Sequence, residues 1–312
     1  ILPWSIFASK ISNLFGTWNE LGIFFGLSAL VSMVYLKFFD KNKILASSVF
    51  ALSLLSLTVI NFRVIWIALA VFSLLFLIYI FSNSKDTRSF ASLPLMVFII
   101  SVLFIFLNPL IGNLLTSTNL NYIEVRPSWS GTFDIVKNSL NENPVLGSGP
   151  GTFQYNWLLY KPQSINLTQF WSSRFNYGIG LIPSLFATSG AISILLWVVF
   201  LLVFLYQFLK ILNFKENESN CFAVAAVFAA AYLWRFSIIY VPTFALFALA
   251  FVFTGIFIGE IVKDKKIKII NINFLGDPKI KFLASLAVLL IITSSLGIFY
   301  LFTKKYIASY YF

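Results

Sequence analysis

The chain reads as an all-α, polytopic integral membrane bundle of about eight spanning helices, with one large extracytoplasmic loop that holds a short amphipathic helix. Three observations predict it. Hydrophobic residues make up 59% of the chain and charged residues only 11%, against about 25% charged in soluble domains. Apolar runs recur at the length a crossing helix needs, roughly 20 residues, and none alternates as the strands of an outer-membrane barrel do. One long polar stretch, 116–178, interrupts them.

In chain order the expected spans cover 20–39, 44–61, 63–82, 90–113, 179–209, 220–236, 239–262 and 281–303. The second and sixth are short. The fifth is longer than one crossing, so it is expected to begin with a re-entrant or tilted part around Pro183 and Gly190. We read 1–312 as a single transmembrane domain cut from a longer chain, because it starts at Ile1. Residues 116–178 are its functional loop, between the fourth and fifth spans.

Charge sets the expected orientation. Lys and Arg are enriched in cytoplasmic loops. Thirteen of the 22 basic residues fall in alternate loops, at Lys37–Lys43, Lys85–Arg88, Lys210–Lys215 and Lys263–Lys281. Those loops are therefore expected inside, and 116–178 outside. The inner set holds twelve Lys and one Arg, whereas the outer set holds Arg63, Arg126, Arg174 and Arg235. Two readings fit these arginines. Arg63 and Arg235 snorkel to the interface, or the guanidinium forks converge on an anion. The chain has no His, which removes the commonest general base and the commonest metal ligand. Its single Cys221 allows no internal disulfide.

Within the loop, Trp129, Phe133, Val136 and Leu140 recur at helical spacing over 128–141. Pro127 suits the start of such a helix and Pro144 its end. The pattern fits a helix lying on the membrane surface or one that covers the bundle. Gly147-Ser148-Gly149-Pro150-Gly151 follows. Its glycines suit a structural turn or an amide nest for phosphate; with no preceding strand and no Lys-Ser/Thr it is not a nucleotide loop. Phe170, Trp171, Phe175 and Tyr177 suit either an interfacial aromatic belt or stacking on sugar rings.

These segments carry a resemblance. Arg126-Pro127-Ser128-Trp129, then the helix, then Asn143-Pro144-Val145-Leu146-Gly147-Ser148-Gly149-Pro150-Gly151-Thr152-Phe153 resembles the signature of the O-antigen ligase and polymerase family. Leu185-Phe186-Ala187-Thr188-Ser189-Gly190 is similar to that family's Leu-Leu-Ala-Glu-x-Gly, and Asn61-Phe62-Arg63-Val64-Ile65-Trp66 to its Ser-Arg-x-x-Trp element. The resemblance spans 61–200. It implies a metal-independent and cofactor-free glycosyltransferase in the bacterial cytoplasmic (inner) membrane. A glycan would pass from a polyprenyl-pyrophosphate donor to a glycan, lipid or protein hydroxyl, with no role for nucleic acid. A polymerase of the same family, and a non-catalytic transporter or binder of lipid-linked glycans, are the alternatives.

By resemblance Arg63 and Arg126 contact the pyrophosphate; Arg174 and Arg235 join them on topology alone. Trp129, Trp171, Gly147, Gly149 and Gly151 complete the expected binding set. The family's acceptor-side histidine has no counterpart. Arg174, or an acid such as Glu124, Asp134 or Glu142, is expected in its place, and Glu142 is taken with Arg126 and Arg174 as the catalytic set.

Overall fold

The computed structural model describes residues 13, 15–83, 91–117, 124–212, 221–263 and 278–311. Among these, the structure is helical, with one isolated bridge between Asn13 and Gly16. The helices are α1 Trp18–Phe38, α2 Lys43–Ile60, α3 Arg63–Asn83, α4 Ser92–Ser117, α5 Trp129–Glu142, α6 Phe153–Tyr160, α7 Leu181–Leu212, α8 Cys221–Ile239, α9 Phe244–Lys263 and α10 Pro278–Tyr311, with a 3-10 turn at Gln163–Leu167.

Seven of them (α1–α4 and α7–α9) are long and apolar enough to cross a membrane, so the chain is a membrane protein built as a helical bundle. The eighth expected span falls on α10, whose described apolar stretch, Lys281–Gly297, is shorter. The chain divides into two compact units, Ile1–Asp264 and Lys265–Phe312, where a single domain is expected from the sequence. The second unit contains α10.

In the first unit α8 is the most enclosed helix. Val227, Phe228, Ala229, Ala230, Tyr232 and Phe236 are fully buried, and α8 packs on α9, α1, α7 and α3. Small residues let helices approach closely in lipid, where no hydrophobic drive pulls them together. Gly26 shows the effect. A Cβ there would sit 2.0 Å from the Tyr232 hydroxyl, which instead donates to the Ile23 carbonyl at 3.2 Å. Large apolar side chains on α2, α4 and α7, such as Leu52, Phe106 and Leu196, point outward and are exposed, as lipid-facing surfaces require.

Pro183 lies in the first turn of α7, where a missing N–H costs nothing. The helix then breaks at Gly190 (φ 68°, ψ −162°), one of the two places where an irregular start was expected. The break would strand backbone groups, and the loop between α4 and α7 satisfies them. Ser148 N and Gly149 N donate to the carbonyls of Ala187 and Thr188 (3.2 and 2.9 Å), and Ala191 N and Ile192 N donate to those of Pro144 and Val145 (2.9 and 3.4 Å).

Helix α5 forms as expected. The Ser128 hydroxyl caps it by accepting from Gly131 N at 3.0 Å. The buried face differs from the expected one: Thr132, Ile135, Val136 and Ser139 pack inward, while Trp129 and Phe133 stack on each other and remain exposed. The seat on α7 decides this, because Ser139 donates to the Ala187 carbonyl at 2.7 Å. The helix therefore covers the bundle. Ile135, Val136, Phe153, Trp157 and Ala187 form a small core beneath it.

Candidate functional site

One end of the bundle collects the start of α1, the α2–α3 turn, the irregular residues before α5, and the α8–α9 turn. Local chemistry fixes each. Glu20 accepts from the Thr17 amide at 2.5 Å and so closes the N-terminus of α1. Asn61 ends α2 in the left-handed region (φ 51°), where Asn is among the few tolerated residues. It trades hydrogen bonds with Asn108: Asn61 Nδ2 donates to the Asn108 carbonyl (3.2 Å), and Asn108 Nδ2 to the Asn61 carbonyl and Oδ1 (3.0 and 2.8 Å). This pins the α2–α3 turn beside Pro109 within α4.

Between these elements lies a cavity of about 420 Å³, lined by Asn19, Asn61, Phe62, Glu124, Arg126 and Ile239 among others. The Arg126 guanidinium lies flat over the Tyr240 ring, 3.4 Å from its centroid. Such stacking contributes about 0.5–2 kcal/mol, more as water is excluded. Arg126 Nη2 donates to Glu124 Oε2 at 3.0 Å. Among the described residues its Nε and Nη1 have no acceptor. Glu124 Oε2 also accepts from Asn19 Nδ2 and the Tyr240 hydroxyl, both at 2.8 Å; among the described residues no donor reaches Oε1. Arg126 is 16% exposed and Glu124 24%. Burial pushes the Tyr240 phenol far above its ordinary value, with Glu124 and Glu20 adding to the rise against Arg126. Tyr240 therefore stays a hydrogen-bond donor throughout the physiological range.

The other expected site residues are spread out. Arg63 is the first residue of α3 and is exposed, flanked in sequence by the cavity residues Phe62 and Val64. Arg235 lies one turn before Ile239 on the same face of α8. It is half-buried and its Nη1 is buried without an acceptor. Arg174 is exposed on the irregular segment that precedes α7. Trp171 is 61% exposed, and its carbonyl accepts from Lys161 Nζ. Glu142 is exposed and accepts from the Tyr160 hydroxyl, a bond that raises the Tyr160 pKa. It closes the far end of α5, a 14-residue helix that separates it from Arg126 by about 20 Å at 1.5 Å per residue. The expected catalytic trio is thus not one cluster.

The glycine segment resolves toward the structural reading. Gly147, Gly149 and Gly151 all have positive φ, but the amides of Gly147, Ser148 and Gly149 already donate to Asn143, Ala187 and Thr188. An amide nest would need those donors free. A Cβ on Gly147 would stand 2.6 Å from both the Ala187 carbonyl oxygen and Gly190 N, and one on Gly190 2.4 Å from the Val145 carbonyl oxygen. The two glycines thus face each other across the break in α7.

Glu124, Asn19 and Tyr240 are the residues that sequence reasoning did not assemble. Glu124 is one of three acids in the loop, and its place two residues before the Arg126-Pro127-Ser128-Trp129 element is the signal that the sequence offers. Asn19 and Tyr240 gave none. No protein-family model matches the chain, and no match is found among curated proteins or solved structures.

Proposed function

We propose that the protein is a metal-independent glycosyltransferase of the O-antigen ligase and polymerase type, moving a glycan from a polyprenyl-pyrophosphate donor to a hydroxyl acceptor on the outer side of a bacterial cytoplasmic membrane. The observation that carries this reading is Arg126: over the Tyr240 ring, held on one side by Glu124, and left with two nitrogens unpartnered among the described residues, at a cavity of mixed polar and apolar lining in a bundle whose helices are apolar enough to cross a membrane. Departure of a lipid pyrophosphate builds negative charge on its oxygens. A guanidinium preset in a partly dehydrated site stabilises that charge at little reorganisation cost. Arg63 at the N-terminus of α3 adds a second cation near the same mouth, where the helix dipole also favours an anion.

The four segments that carry the resemblance also pair off in space, which supports the reading. The Arg63 and Arg126 elements flank one cavity, and the 143–153 motif seats on the 185–190 element. The chain's lack of histidine favours a second reading, a non-catalytic binder of lipid-linked glycans.

Transfer of a labelled polyprenyl-pyrophosphate glycan by the protein in liposomes separates the two. Transfer by wild type, lost in Arg126→Ala, supports the enzyme. Arginine-dependent donor binding with no transfer by wild type supports the binder.

A further inference from the structure

We infer that Glu124 is the general base of this chain: it neutralises Arg126 while the site is empty, yields that cation to the donor's pyrophosphate, and then takes the proton of the acceptor hydroxyl. The inference rests on the transferase reading and supplies the group that the absent histidine leaves open.

Three features of the structure point to it. Glu124 is the carboxylate that lines the cavity with Arg126, so base and leaving-group cation share one chamber. Asp134 and Glu142, the other acids of the loop, are exposed on α5. Next, three donors converge on Oε2 (Asn19 Nδ2, Arg126 Nη2 and the Tyr240 hydroxyl), and among the described residues none reaches Oε1. Asn19 and Tyr240 can hold the carboxylate in place after Arg126 turns to phosphate, so the base keeps its position through the exchange. Finally, Arg126 donates to Glu124 through a single nitrogen, and one guanidinium can grip an incoming anion through its other nitrogens before the carboxylate lets go.

The step balances without a metal or co-reactant. The acceptor oxygen forms a bond to the anomeric carbon and its proton passes to Glu124 Oε1. The bond from the anomeric carbon to the pyrophosphate oxygen breaks, and its electron pair stays on the pyrophosphate beside Arg126. Glu124 then returns the proton to the departing pyrophosphate or to water. Among the described residues, the charged and titratable groups around Glu124 are Arg126 on its own segment, Tyr240 after α8, and Glu20 on α1, whose charge bears on both Glu124 and Tyr240.

The test compares wild type, Glu124→Gln and Glu124→Asp in nanodiscs. Binding of polyprenyl pyrophosphate and transfer from a polyprenyl-pyrophosphate glycan are both measured between pH 5 and pH 8. Glu124→Gln should bind polyprenyl pyrophosphate as tightly as wild type or a few-fold tighter, since the competing carboxylate is gone. Its transfer rate should fall about 100-fold or more, the range general-base removal gives. Glu124→Asp, which keeps a carboxylate, should restore transfer in part. Transfer by Glu124→Gln within a few-fold of wild type would overturn the inference. So would joint loss of binding and transfer, which would make Glu124 only a prop for Arg126. A wild type that binds the donor but transfers nothing would overturn the transferase reading and this assignment with it.

Discussion

Two regions of the loop between α4 and α7 differ in what they leave unspent. Around the glycine segment, backbone meets backbone: the amides of 148–149 and 191–192 are bonded to carbonyls across the break in α7, and that of Gly147 to the Asn143 carbonyl. Around Arg126, side chains meet side chains, and among the described residues Nε and Nη1 of Arg126 and Oε1 of Glu124 have no partner. The contrast teaches that the more motif-like segment is the scaffold. A saturated set of donors fixes geometry, and only an unsaturated one has capacity for a ligand.

The sharpest way to break this comparison is at the scaffold. Gly190→Val places a side chain against the Val145 carbonyl at a positive φ, where overpacking and backbone strain each cost about 1–3 kcal/mol. It should lower thermal stability in detergent more than any other change named here and abolish donor binding as a consequence. Arg126→Ala should do the reverse. Thermal stability shifts little, while affinity for polyprenyl pyrophosphate falls by about 10–100-fold, as loss of charge-assisted hydrogen bonds worth 1.5–3 kcal/mol predicts. Equal loss of stability in the two variants would erase the distinction. Tyr240→Phe keeps the ring under Arg126 and removes one donor to Glu124, for a smaller loss of about 0.5–1.5 kcal/mol, read as a few-fold drop in donor affinity. Glu142→Gln, on the exposed far end of α5, should stay within about 0.5 kcal/mol of wild type in stability and leave donor affinity unchanged; a large effect would move the site toward Tyr160.

Much of the bundle was legible in the sequence. The start of α1, the α2–α3 boundary at Asn61 and the irregularity at Gly190 were each readable, because apolar run length and helix breakers act over one or two turns. The face of α5 was not. Trp129 and Phe133 are apolar at helical spacing, yet Thr132 and Ser139 are buried instead, since Ser139 has a carbonyl on α7 to reach. Of the candidate cavity, the sequence points to Arg126, while its pattern ranks Glu142 ahead of Glu124, the acid that lies beside Arg126. Nothing local separates the two carboxylates. What does is the length of α5, which carries one away from Arg126 while the other stays beside it.

The sequence by itself determined that this protein lives in a membrane, where its helices run and which loop breaks the pattern. Hydropathy and crossing length are one-dimensional properties, fixed by composition within each run. Only the tertiary structure decided which polar groups meet. Asn19 reaches Glu124 across 105 residues and Tyr240 reaches it across 116. Such pairings follow from which helix ends pack together, and no local pattern of residues encodes that choice.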